Sequence, residues 1–227
     1  MENDILKKYL SELTDKVESV EKTAVPQRNL SKQPYSFSGK PLPEQLEIWS
    51  YIWKNAPGFW VQIQAYLLFE AHLKNKTFLI GSWKTIKLWQ KYVDSWGTCD
   101  GLSKIYTKVL EIIPDKVLNQ LKLWNQSNNI WDKRQSVVSL LYFSRTKKVF
   151  LPYPTIIPFI DRLLTDPEHF VQKGVGWSLK ELYNVYPTET LQYLNENITK
   201  IPAKVFSIAT EKLKKADKEI LKTKRKP

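Results

Sequence analysis

One helical segment of this sequence contains an aromatic side chain that does not fit the segment's own pattern. In VQKGVGWSLKELYNVYP, residues 171–187, Trp177 lies opposite the apolar positions and in line with Lys173, Lys180 and Asn184. An aromatic ring between lysines suits stacking on a flat ligand and the neutralisation of an anion. The alternative is that Trp177 packs against a neighbouring helix, and the residue pattern alone leaves both explanations open.

A second segment contains a charge where an apolar residue is expected. Arg134 falls within the apolar stripe of the helix predicted over residues 130–143, and an unpaired buried charge is costly. Either Arg134 forms a structural ion pair at a helix end, or it reaches into a site and binds a carboxylate or a phosphate. The candidate carboxylate is Asp100, in SWGTCDGLSKIY, although an aspartate at the start of an apolar-periodic helix also suits an N-cap. Trp96, four residues earlier, is placed by no core periodicity.

A row of lysines accompanies these residues. In the helix predicted from Trp83 to Val93, Lys84, Lys87 and Lys91 recur at i, i+3 and i+7. The opposite, buried side is predicted to consist of Ile86, Trp89 and Val93. A lysine row is usually a solvated face, but combined with unplaced tryptophans and a buried arginine it indicates a nucleic-acid site.

Two glycines precede Trp177 in its helical segment. Gly174 and Gly176 each cost roughly 1 kcal/mol of helix stability relative to alanine, so a packing or functional reason is expected. Because glycine has no Cβ, another backbone or a DNA strand can approach the helix closely at these positions.

Composition limits the classes of partner. The 227 residues contain 35 Lys and Arg against 23 Asp and Glu, which gives a net charge of +12. Such an excess favours an anionic partner, nucleic acid first and an acidic membrane surface second. Nine tryptophans exceed what a core of this size needs.

Other features exclude common site types. Cys99 is the only cysteine, and His72 and His169 have no ligand spacing, so neither a disulfide framework nor a zinc site is predicted. No apolar segment approaches the ~20 residues of a membrane span. We therefore expect a soluble, cytoplasmic protein.

Almost every segment has helical period, and the predicted fold is all-α. The second helices of successive pairs are predicted to begin near Phe59, Asp100, Trp131, His169 and Ala203. Spacing of about 31 to 41 residues is typical of a HEAT-like solenoid of antiparallel helix pairs, whose concave face would be basic here. Prolines are predicted to stand at helix starts at Pro114, Pro154, Pro187 and Pro202.

Four regions follow from this pattern. Residues 1–22 are predicted to form an N-terminal helix, and residues 23–42, rich in Pro, Ser and Gln, a loop or short turns. Residues 43–216 are predicted to form the helical-repeat domain. Residues 217–227 are predicted to be a basic tail that frays or is disordered.

Three motifs give the chain a resemblance to the AlkD-like DNA alkylation repair family, from about residue 35 to about residue 212. SWGTCDGLS resembles the family's Trp-x-x-x-Asp motif and supplies Trp96 and Asp100. NNIWDKRQSVV resembles its Asn-x-Trp-x-x-Arg motif and supplies Arg134. VQKGVGWSLKE resembles its Gln-Lys-x-x-Gly-Trp motif and supplies Trp177. The motifs occur in the family's order.

The chain also departs from the family pattern at three positions. Lys180 stands where the family usually has arginine, which keeps the charge but loses a bidentate fork. Gly97 occupies a place often held by an acid or another polar residue. Leu30 stands where the family can supply an aromatic side chain towards the lesion.

The resemblance implies a glycosylase that removes N3- and N7-alkylated purines from duplex DNA, with no cofactor, no metal and no membrane. It implies that Asp100 stabilises an oxocarbenium-like sugar and orients water. Trp96 and Trp177 would pack on the deoxyribose and the lesion, and Arg134 would hold the DNA backbone or the aspartate. Lys84, Lys87, Lys91, Lys173 and Lys180 would contact phosphates.

The sequence alone leaves two alternative functions open. The protein could be a catalytically weak or inactive relative that binds bent or branched DNA, or it could be a helical-repeat scaffold that binds acidic proteins. In each case a monomer is expected.

Overall fold

A computed structural model describes residues 1–147 and 149–225 of the chain, which form two compact units. Over these residues the regular structure is entirely helical, with thirteen α-helices and no strand, which confirms the predicted all-α class. The first unit ends at Ile112 and the second begins at Ile113.

The first unit contains six α-helices and one 3-10 helix. They are α1 (Asn3–Glu18), α2 (Ala24–Leu30), α3 (Leu42–Asn55), α4 (Phe59–Ala71), α5 (Lys76–Ile86), the 3-10 helix Lys87–Tyr92, and α6 (Trp96–Leu110). Its core is aromatic: Trp53 stacks on Trp89 with 5.3 Å between ring centroids, and the Trp53 indole N–H donates to the Trp89 carbonyl at 2.8 Å. Both rings are fully buried, which accounts for part of the high tryptophan content.

The second unit contains the remaining α-helices and a short 3-10 helix. They are α7 (Pro114–Asn125), α8 (Ile130–Leu141), the 3-10 helix Ser144–Thr146, α9 (Tyr153–Arg162), α10 (His169–Val185), α11 (Pro187–Glu196), α12 (Ala203–Ala209) and α13 (Lys215–Arg225). α10 packs on α8 and on α12. Its predicted apolar face, which includes Val171, Val175, Leu179 and Leu182, is fully buried.

Prolines mark helix starts as predicted. α7 and α11 begin at Pro114 and Pro187, Pro154 is the second residue of α9, and Pro202 directly precedes α12. Helix starts tolerate proline because the first N–H groups have no partner within the helix.

Four boundaries differ from the sequence prediction. The helix predicted from residue 83 to 93 is the end of α5 followed by a 3-10 helix, and the helix predicted near Asp100 begins four residues earlier. Residues 24–30, predicted as loop or short turns, form α2, with Leu30 buried.

Residues 217–225, predicted as a fraying tail, belong to α13, whose Leu221 is buried; residues 226 and 227 lie outside the described residues. In α2 and α13 a buried leucine packs the helix against the core, and such tertiary packing supplies most of the stability of short helices in proteins.

Candidate active site

Trp96 and Asp100 lie one helical turn apart on α6. The Ser95 hydroxyl accepts a hydrogen bond from the Thr98 amide at 3.3 Å and caps the helix. Asp100 therefore stands inside the helix, and its interpretation as an N-cap is wrong. Residues at i and i+4 are neighbours on a helix surface, so the exposed indole and the half-buried carboxylate share one face of α6.

The opposite face of α6 fixes this orientation. Leu102, Ile105, Tyr106 and Val109 are all fully buried, as their spacing predicted. The Trp96 side chain is 61% exposed, the largest exposed fraction among the tryptophans. α6 thus presents an aromatic ring and a carboxylate at its N-terminal end while its apolar stripe holds the helix in the core of the first unit.

The Tyr66 ring packs against α6 at Gly101, the residue that follows Asp100. A Cβ atom at Gly101 would lie 2.6 Å from Cζ of Tyr66, so only glycine lets α4 approach α6 this closely. Burial, helped by the negative charges of Glu70 and Asp100 and opposed by the positive charge of Arg28, raises the pKa of Tyr66 to about 12. The phenol therefore stays protonated at neutral pH.

An ion-pair cluster centred on Glu70 joins α4 and α6. The Glu70 carboxylate lies 3.2 Å from the Lys104 ammonium and 3.4 Å from Nε of Arg28. Lys104 is one turn beyond Asp100 on α6, and Arg28 comes from α2. This cluster joins three helices that are far apart in sequence, and no local motif indicates it.

A second aromatic ring stands at the start of α4. Phe59 is 41% exposed, and a Cβ atom at Gly97 would lie 2.9 Å from its Cε2 atom. The departure from the family pattern at Gly97 therefore has a local reason, because the Phe59 ring occupies the space of a side chain there.

The lysine row of the first unit spans the junction of α5 and the 3-10 helix. Lys84 and Lys91 are exposed and Lys87 is half-buried. Their predicted buried counterparts, Ile86, Trp89 and Val93, are all in the core. The division of charged and apolar sides is confirmed, although the helix changes type at Lys87.

In the second unit Arg134 is buried, with 6% of its surface exposed. Its Nη1 atom donates to the Phe170 carbonyl at 3.0 Å, which ties α8 to the start of α10. A Cβ atom at Gly174 would lie 3.2 Å from Cγ of Arg134. Gly174 thus provides room for the arginine stem one turn before Trp177.

Trp177 belongs to a cluster of three aromatic rings. Its ring centroid lies 5.6 Å from that of Tyr142 and 6.2 Å from that of Phe143. Both partners follow the C-terminal end of α8. Trp177 is half-buried, so it packs within the protein and keeps part of its surface accessible.

The polar residues in line with Trp177 differ in their surroundings. Lys173 is exposed, whereas the Lys180 ammonium lies 3.1 Å from the Glu211 carboxylate. The Asn184 amide donates to the Ser144 hydroxyl at 3.3 Å, so this side chain has a partner within the second unit. The predicted stripe therefore contains one solvated lysine, one paired lysine and one structural asparagine.

The distribution of the predicted residues follows the two units. Trp96 and Asp100 lie together in the first unit, and Arg134 and Trp177 belong to the second. The sequence did not indicate Tyr66, Glu70 and Phe143, since each depends on contacts between separate helices. Within residues 1–147 and 149–225, no three His, Cys, Asp or Glu side chains are grouped as metal ligands would be.

None of the described helices is long and apolar enough to span a membrane.

Residues 16–213 match the family described as DNA alkylation repair enzyme. Because the match covers most of the chain, the protein belongs to this family.

Two solved structures share the fold. AlkD2 from Streptococcus mutans has a TM-score of 0.65 and 18% identity, over 92% of this chain and 99% of that chain. The structure of smu.31 from Streptococcus mutans UA159 has a TM-score of 0.64 and 18% identity, over 92% of this chain and 100% of that chain. No curated protein is significantly similar in sequence to this chain.

Proposed function

We propose that this protein is a monofunctional DNA glycosylase that hydrolyses the N-glycosidic bond of N3- and N7-alkylated purines in duplex DNA. The observation that carries the proposal is the pairing of the exposed Trp96 ring with the Asp100 carboxylate on one face of α6. Membership of the DNA alkylation repair family supports DNA as the partner.

Hydrolysis of this glycosidic bond needs a negatively charged side chain more than it needs a general acid. An N3- or N7-alkylated purine carries a positive charge, so the base leaves as a neutral molecule when it takes the electrons of the C1′–N bond. The sugar that remains resembles an oxocarbenium ion. Asp100 would stabilise this cation and orient the water that adds to C1′, the released proton passing to the carboxylate or to solvent. A preorganised group of this kind contributes about 3–4 kcal/mol.

Aromatic rings would recognise the charge of the lesion. Trp96 and Trp177 each keep accessible surface, and a cation over an indole face gains about 1–2 kcal/mol when it is desolvated. A neutral, unmodified purine lacks this attraction. We infer that these rings favour the alkylated nucleotide over its normal counterpart.

Cationic side chains would hold the DNA backbone. Arg134 offers a fork that suits a phosphate, and the lysine rows supply charges that release counterions on binding. The proposed phosphate contacts are Lys84, Lys87, Lys91, Lys173 and Lys180. We expect the protein to act as a monomer in the cytoplasm.

Single-turnover release of base from a duplex with one N7-methylguanine tests the proposal. Asp100→Asn keeps the size of the side chain and removes its charge, and we expect release to slow by ~10²-fold or more. Asp115→Asn, at an exposed position in the first turn of α7, makes the same charge change and should leave the rate unaltered. Wild-type activity that survives Asp100→Asn would remove the carboxylate from the mechanism.

A DNA-binding protein without excision activity is the second candidate. One observation favours it: Leu30, at the family's aromatic position in the N-terminal region, is 3% exposed and forms part of the core. In that case neither N7-methylguanine nor N3-methyladenine would be released, while bent or branched DNA would bind more tightly than straight duplex. Competition between these DNA forms in a binding assay distinguishes the two candidates.

A further inference from the structure

The turn after α8 holds an exposed aromatic residue in an unfavourable backbone conformation. Phe143 has φ 46° and ψ 67°, and it is the only non-glycine residue with positive φ in the part of the chain that the structure describes. Bulky residues rarely adopt the left-handed region, and such strain is concentrated at functional sites. The Phe143 side chain is 52% exposed, so burial of its ring does not account for the strain.

A buried carboxylate of α10 holds this turn. Glu181, 8% exposed, accepts hydrogen bonds from the Ser144 amide at 2.8 Å and the Ser144 hydroxyl at 2.6 Å. The Phe143 carbonyl accepts from the Thr146 amide at 2.8 Å and the Thr146 hydroxyl at 2.9 Å. Charge-assisted bonds to Glu181 and this local pair together fix the conformation of Phe143.

The same helix positions the ring that Phe143 joins. Trp177 is one turn before Glu181 on α10, and its centroid lies 6.2 Å from that of Phe143 with the rings nearly perpendicular. Arg145, the second residue after Phe143, is exposed, as is Lys173 one turn before Trp177. An exposed aromatic edge with cationic neighbours is the composition of a surface that stacks nucleobases and neutralises phosphates.

We propose that Phe143 contacts DNA directly, stacking on a base of the bound duplex beside the nucleotide that Trp177 contacts. Glu181 and Ser144 act as positioning residues for this ring. The inference rests on the proposed function and adds a stacking residue to it. Base stacking on an aromatic side chain tolerates any sequence, so Phe143 would contribute affinity and duplex distortion without reading sequence.

Phe143→Gly removes the aromatic ring without straining the turn, because glycine adopts positive φ readily. We expect this variant to keep the wild-type melting temperature or exceed it, and to bind duplex DNA about tenfold more weakly. A 2-aminopurine beside the lesion should lose its fluorescence response to binding, while the salt dependence of Kd stays unchanged. Phe143→Tyr should behave as wild type, and so should Leu123→Ala, which removes a side chain 64% exposed on α7.

Glu181→Gln tests the positioning role. This variant keeps the Phe143 ring but weakens the hydrogen bonds to Ser144 that fix the turn. We expect a several-fold loss of affinity for duplex DNA. Combined with Phe143→Gly it should cause no further loss, because there is no longer a ring to position. Additive losses would assign Glu181 a role independent of Phe143.

The outcomes distinguish this proposal from the proposed glycosylase activity. Binding and 2-aminopurine fluorescence require no base release, so a protein that releases no base can still show the loss in Phe143→Gly. Wild-type affinity and fluorescence in Phe143→Gly would overturn the stacking role even if base release is observed. Failure of the wild-type protein to bind duplex DNA would overturn both.

Discussion

A Cβ atom at Gly176 would lie 3.0 Å from the Val205 carbonyl oxygen and 2.9 Å from Cβ of Ile208. The main chain of α12 thus occupies the side of α10 where a side chain would stand. The sequence left two explanations for this glycine, the approach of another backbone or that of a DNA strand. The contact with Val205 confirms the first explanation.

Gly176→Ala should destabilise the fold. Overpacking costs about 1–3 kcal/mol, and alanine regains roughly 1 kcal/mol of helix propensity, so we expect a net loss of up to about 2 kcal/mol. Urea unfolding measures it. Gly81→Ala is the matched control: this glycine lies inside α5, and its Cβ would meet only Cδ2 of Leu42 at 3.6 Å. The control should gain stability, and a gain in Gly176→Ala would contradict the packing argument.

Lys173 and Lys180 should contribute unequally to the salt dependence of DNA binding. Lys173→Ala should reduce the slope of log K against log salt concentration by about 0.9, the value for one phosphate contact. Lys180→Ala should change the slope less, because its ammonium is already 3.1 Å from Glu211. Lys122→Ala, exposed on α7, is the control and should leave the slope at the wild-type value. Equal changes at the two positions would show that DNA displaces Glu211 from Lys180.

Tyr66 should make the protein sensitive to alkali. Its pKa is about 12 in the folded protein, so between pH 10 and 12 the unfolded chain loses this proton while the folded protein keeps it. Stability therefore falls as pH rises through this window, by up to about 1.4 kcal/mol per pH unit. Tyr66→Phe should flatten this fall in urea unfolding at pH 10–11.5. Below pH 9 the difference in the free energy of unfolding between variant and wild type should not depend on pH. If the free energy of unfolding of the two proteins falls in parallel above pH 10, the assignment to Tyr66 is refuted.

The helical pattern was predictable because the burial of apolar stripes forms these helices. The spacing of Val171, Val175 and Leu179 predicted the buried face of α10. Trp96 fits no apolar stripe, and it is indeed exposed. The same reasoning located Arg134 in an apolar stripe, where it is indeed buried. In these positions the local sequence determines on which side of the helix a residue lies.

The partners of these residues were not predictable from the sequence. Glu70 pairs with Lys104 and Arg28 across three helices, and Glu181 binds Ser144 from 37 positions away. The positive φ of Phe143 has no local signal, because the residue types around it do not demand a left-handed turn. Such features depend on helix packing, which a single sequence with degenerate repeats does not specify.

The only cysteine of the chain directly precedes Asp100 on α6, and Cys99 is fully buried. A thiol reagent can reach its Sγ atom only when this part of α6 opens. The labelling rate of native protein therefore reports the opening free energy of the helix that carries the Trp96–Asp100 pair. If lesion-containing DNA engages Asp100 as proposed, it should slow this labelling, and Cys99 then reports that engagement without any substitution.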